Sequence, residues 1–114
     1  MAGTGSREQE IKEFVQAHAH GWDHEAWVGF LDHLRGLGQD VSDPDRIGLE
    51  LEGERLRSTL REAGVKGLGP KRIEAIAVEF GTLHNLKVAD GAEIAARSRV
   101  PSQLAHEVAE RLCL

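Results

Sequence analysis

Apolar residues recur three and four positions apart along this chain, and no stretch alternates apolar with polar long enough to build a strand. Ile11, Phe14, Val15 and His18 share one face of a first helix, with Ser6 and Gln9 in capping-box spacing at its start and Gly21 at its end. Asp23 can cap a second, striped by Trp27, Phe30, Leu31, Leu34 and Leu37 and stopped by Gly38. Asp43-Pro44 opens a third, with Leu49, Leu56, Leu60 and Ala63 on one stripe and Ile47 and Leu51 on a second. Gly48 and Gly53 lie inside it. Either the helix breaks near Gly53, or it is buried on two sides and the glycines permit close packing; a continuous helix is the expectation.

After Gly64 the punctuation sharpens. Pro70 opens a helix with Ile73, Ile76, Ala77 and Phe80 inward, and Gly81 ends it. Thr82 caps a short turn holding Leu83 and Leu86. Asp90 with Glu93 opens a short helix through Ile94, and Ser98-Arg99-Val100-Pro101 leads to a last helix with Leu104, Ala105, Val108 and Leu112 inward. The pattern predicts seven helical segments and no sheet. A shift of 32 residues lays Gly67-Leu68-Gly69-Pro70-Lys71 over Arg99-Val100-Pro101-Ser102-Gln103, and pairs Ile73 with Ala105, Ile76 with Val108 and Phe80 with Leu112. This reads as a duplicated unit whose second copy has lost both glycines and the lysine.

Composition narrows the class. The 114 residues fit one compact domain or two small subdomains, and 40% apolar with 29% charged residues is an ordinary globular balance. A single cysteine, Cys113, excludes an intrachain disulfide and a multi-cysteine zinc site and suits a reducing cytosol. No apolar run is long enough to span a membrane. Met1-Ala2-Gly3-Thr4-Gly5 lacks the order of a secretory signal, and residues 1–5 are expected to be a flexible terminus. Net charge is −5, unevenly placed: residues 1–63 hold 7 Lys+Arg and 13 Asp+Glu, net −6, whereas residues 64–114 hold 7 and 6, net +1. Any affinity for DNA is therefore expected to be modest and to fall with salt.

The chemistry concentrates in Gly67-Leu68-Gly69-Pro70-Lys71-Arg72. Two glycines permit positive φ and a close backbone approach, and Leu68 between them can turn inward as a plug. Pro70 starts a helix, so unbonded amides of the loop and first turn point outward together as an anion site. Lys71 and Arg72 sit where the helix dipole disfavours cations, a placement that makes sense if the ligand is a phosphate diester. Such a site reads no base edges.

With Val65-Lys66 before it, the connector Phe80-Gly81-Thr82-Leu83 and the closing Leu104-Ala105, this segment resembles the tandem helix-hairpin-helix domain of DNA repair and recombination proteins. The resemblance covers about half the chain, residues 54–114. It implies that amides at Gly67 and Gly69 contact a phosphate with Lys71 assisting, and that the Gly67–Gly69 hairpin carbonyls hold a monovalent cation when DNA is bound. Ile73 departs from the family's usual alanine, and the second hairpin, without glycines, is expected to act chiefly as a packing partner that completes the core, with Arg99 placed to compensate through its side chain.

Other residues carry weaker signals. His18, His20 and His24 with Asp23 are separated by Gly21 and read as core-edge and solvated histidines rather than a metal site. Trp22 and Trp27 flank an apolar stripe and read as core, not as base-stacking platforms. Glu50, Glu52 and Glu54 read as a solvated face, and no nucleophile–base pair or nucleotide-binding loop stands out.

The expected fold is all-α: an acidic N-terminal helical subdomain, residues 6–53, packed on a tandem helix-hairpin-helix unit, residues 54–114, with a degenerate second hairpin. The expected function is sequence-independent DNA binding without catalysis and without a metal or other cofactor beyond that cation. It would act in the cytoplasm at the nucleoid, with a protein partner through the acidic half. The DNA-binding residues are Lys66, Gly67, Leu68, Gly69, Lys71 and Arg72 of the first hairpin and Arg99, Ser102 and Gln103 of the second. The rival expectation is a protein-interaction adaptor that uses the same fold without DNA.

Overall fold

Side-chain caps set four of the helix starts. The structure, a computed structural model, describes residues 7–18 and 21–112. Among these the chain forms seven α-helices and no strand: α1 (Arg7–Ala17), α2 (His24–Gly36), α3 (Pro44–Ala63), α4 (Pro70–Phe80), α5 (Leu83–Lys87), α6 (Gly91–Ser98) and α7 (Ser102–Leu112). Ala26 N–H donates to Asp23 Oδ1 at 2.8 Å, Arg46 N–H to Asp43 Oδ1 at 3.3 Å, Asn85 N–H to Thr82 Oγ1 at 3.1 Å and Glu93 N–H to Asp90 Oδ1 at 2.8 Å. Each such cap stabilises its helix by about 1 kcal/mol. The Ser6 cap lies outside the described residues.

Four expectations need correction. The sixth helix does not stop at Ile94 but runs to Ser98, because Ile94 and Ser98 share a buried face one turn apart. Leu37 leaves the stripe to become the exposed C-cap of α2. In α3, Leu49 is 64% exposed, whereas Glu54 is 8% exposed and buried. The cause is helical phase: Leu49 lies two residues from both Ile47 and Leu51, hence on the opposite side, while Glu54 follows Ile47 by seven and returns to the buried face. Glu50 is half-buried in a two-pronged pair with Arg7, at 3.2 Å and 3.0 Å. The three glutamates therefore do not form a solvated face. α3 itself is continuous through Gly48 and Gly53, and a Cβ on Gly48 would come within 3.7 Å of the Trp27 ring.

The chain divides into two compact units, residues 1–54 and 55–114. In the first, Ile11 and Val15 of α1, Phe30 and Leu34 of α2 and Ile47 and Leu51 of α3 form the core, and Phe14, Trp22 and Trp27 pack against it. In the second, Leu56 and Leu60 of α3 join Ile73, Ile76, Ala77 and Phe80 of α4, with Leu86, Ile94, Ala105 and Val108 from the later helices. Fully burying such side chains is worth about 1.5–3 kcal/mol each. The crossing of α6 and α7 is close: a Cβ on buried Gly91 would lie 2.9 Å from His106 Cα. Arg97 fastens α6 to α4 by donating to Glu79 Oε1 and Glu79 O, both at 3.2 Å, while its guanidinium sits 4.3 Å from the Phe80 ring centre.

Candidate nucleic-acid interface

The connection from α3 to α4 folds around a four-residue turn in which Leu68 N–H donates to Val65 O at 3.1 Å. Lys66 and Gly67 occupy its centre. Gly67 has φ +90°, the value the third residue of a type II turn requires. Val65 and Leu68 are buried on either side while Lys66 and Gly67 are exposed, so the loop is pinned by two plugs and its tip faces solvent. Gly69, at φ −81° and ψ 178°, is the N-cap of α4, followed by Pro70, and supplies no side-chain cap. Ile73 N–H donates to Gly69 O at 3.0 Å. Among the described residues, the amides of Gly67, Gly69, Lys71 and Arg72 have no protein acceptor.

The two glycines are not equivalent. Only Gly67 uses positive φ, and a Cβ on it would meet Leu104 Cδ2 at 3.4 Å; a Cβ on Gly69 would meet nothing within 4 Å. The positive φ that both glycines permit is therefore used at Gly67 alone. At Gly69 the missing side chain leaves the end of α4 open.

Thirty-two residues on, Arg99 takes the position of Gly67 and also its handedness, with φ +57° as the αL C-cap of α6. Val100 takes the place of Leu68 and is 4% exposed. Ala105 N–H donates to Pro101 O at 3.0 Å, repeating the Ile73–Gly69 bond. The left-handed residue and the buried aliphatic after it thus recur, whereas the Leu68–Val65 turn bond has no counterpart at Val100 among the described residues. The approach of Gly67 to Leu104, in the first turn of α7 with Ser102 and Gln103, makes the two connections neighbours at one end of the unit.

Side chains divide into engaged and open cations. Arg72 Nη1 donates to Gly67 O at 3.0 Å, so Arg72 braces the turn rather than reaching outward. Leu68 is likewise structural, since its side chain is buried and its amide is bonded within the turn. Arg57 forms a fork with Glu74 at 2.7 Å and 2.8 Å, joining α3 to α4 beside the hairpin. That hydrogen bond holds the Glu74 carboxyl below its ordinary range. Arg111 Nη1 donates to Ala63 O at 2.6 Å, at the end of α3. Among the described residues, Lys66, Lys71 and Arg99 have no side-chain partner and are exposed. Residues 55–114 hold 10 Lys+Arg and 7 Asp+Glu, net +3, against 4 and 12, net −8, for residues 1–54. Open amides and unpaired cations together can hold an anionic oxygen.

Val65 O and Gly69 O accept amide hydrogens, and Gly67 O faces the Arg72 guanidinium at 3.0 Å, a fixed positive charge. Elsewhere, His18 stacks on Phe14 with ring centres 4.1 Å apart, and His33 Nε2 lies 2.7 Å from Glu10 Oε1. His20 lies outside the described residues. No three His, Cys, Asp or Glu side chains among the described residues converge as a metal site, and no described helix is long and apolar enough to cross a membrane.

Sequence reasoning missed the Arg57–Glu74 clamp, the bracing role of Arg72 and the Gly67–Leu104 approach. Arg57 and Glu74 stand 17 residues apart across a loop, where no helical register signals a pair. Comparison with protein-family models, curated proteins and solved structures finds no match for the chain.

Proposed function

We propose that this chain binds DNA through its phosphate backbone, independently of sequence and without catalysis, using a tandem helix-hairpin-helix in residues 55–114. The observation that carries the reading is the open end of α4. Where Asp23, Asp43, Thr82 and Asp90 close other helices with their own oxygens, Gly69 offers none. Four amides and the dipole end are thus presented to an outside anion, flanked by Lys66 and Lys71. A phosphate diester matches in charge and in acceptor geometry, and a duplex offers a second phosphate to the neighbouring connection at Arg99, Ser102 and Gln103. The left-handed residue and the buried aliphatic after it, common to both connections, favour a duplicated hairpin over a simple linker. A place in repair, recombination or nucleoid upkeep rests on the family resemblance.

Fluorescence anisotropy with single-stranded, duplex and four-way-junction DNA at two salt concentrations tests the reading. Binding is expected to be indifferent to base sequence, with a shallow salt slope equivalent to about two to four neutralised phosphates. A slope typical of ten contacts would assign binding to another surface, and no salt-dependent binding to any of the three would remove the proposal.

A further inference from the structure

The first unit carries a surface that DNA binding does not use. Between α1 and α2 runs a groove of about 360 Å³. Its lining on α2 is Ala26, Gly29, Phe30 and His33, one stripe at helical spacing, faced by Phe14 and Ala17 of α1. Each stripe extends roughly 10 Å, two helical turns. Phe14 and Phe30 form an aromatic floor with ring centres 4.6 Å apart. Glu13 stands along the α1 side, where Glu10 meets His33 of α2 at 2.7 Å.

Gly29 is the informative residue. It lies inside α2, where glycine is the poorest helix former after proline, and a Cβ there would meet nothing within 4 Å. No packing among the described residues accounts for the missing side chain. A close approach by another molecule along the groove does.

We infer that this groove binds an amphipathic helix of a partner protein, its apolar stripe laid over Phe14 and Phe30, its backbone brought close at Gly29, and Lys or Arg along its edge facing Glu13. Charge selects this occupant. Residues 1–54 carry net −8, so a second copy of the unit and a nucleic acid are both repelled, whereas a basic helix is attracted. The inference is independent of the DNA reading.

Selection of a displayed library of 18-residue peptides against the full chain tests it. The library carries Leu or Ile at helical spacing and either Lys or Glu at the flanking positions. Enriched peptides are expected to be Lys-rich and to lose about tenfold or more in affinity for Gly29→Gln. Glu13→Lys should weaken them as well. Gly36→Gln, the same change at another open position of α2 outside the groove lining, should leave binding intact, and neither glutamine should lower the melting temperature. Enrichment of Glu-rich peptides, no enrichment, or equal binding to Gly29→Gln would overturn the inference. Concentration-dependent dimerisation abolished by Gly29→Gln would assign the groove to a second copy instead.

Discussion

A side chain at Gly67 would stand on a backbone with φ +90°, with the Leu104 side chain 3.4 Å from its Cβ. Gly67→Ala is therefore expected to cost roughly 1–2 kcal/mol of stability from the left-handed conformation alone, measured by urea or thermal unfolding. Arg99 already pays such a penalty, with φ +57° and a side chain. Arg99→Gly should relieve it, offset in part by the looser unfolded chain. A stability gain between zero and about 1 kcal/mol is expected, together with weaker DNA binding from the lost charge. A clear loss of stability would show that the arginine side chain packs rather than points to solvent. These assignments were only half legible in the sequence. Gly67 and Gly69 look alike there, and the difference between them is a φ value and a neighbour 37 positions away, neither of which a local pattern encodes.

Elements were more legible than residues, because caps and stops act within one turn. Asp23, Asp43, Thr82 and Asp90 each close the helix that their position in the sequence implies. The two stripes of α3 match its two cores, Ile47 and Leu51 in one and Leu56 and Leu60 in the other; the pattern misplaces only Leu49, which is exposed, and Glu54, which is buried. The close crossing of α6 and α7 was not legible at all. Nothing around Gly91 announces that its α-carbon faces the backbone of His106, where an added Cβ would lie 2.9 Å from Cα. Gly91→Ala is expected to destabilise by about 1–3 kcal/mol through overpacking, although alanine is the better helix former. Unfolding free energies on the pair of proteins check this, and a neutral or stabilising effect would mean that the crossing relaxes freely.

For the molecule as a whole, charge and backbone divide the work. The acidic first unit and the mildly basic second one have opposite net signs, −8 and +3, a division visible in the sequence and sharper at the boundary the fold draws. The central claim is that the uncapped end of α4 receives a phosphate. Gly69→Asp tests it most directly, because aspartate suits the N-cap backbone found there, φ −81° and ψ 178°. Its carboxylate would cap the amides that the phosphate is proposed to use. The decisive measurement is the affinity of Gly69→Asp for duplex DNA beside its melting temperature, with Gly69→Asn as the uncharged cap. Both variants are expected to melt at or above the parent temperature and to bind DNA more weakly, the aspartate most of all. If both fold as stably as the parent and bind DNA equally well, the hairpin is a connector and phosphate is not its ligand.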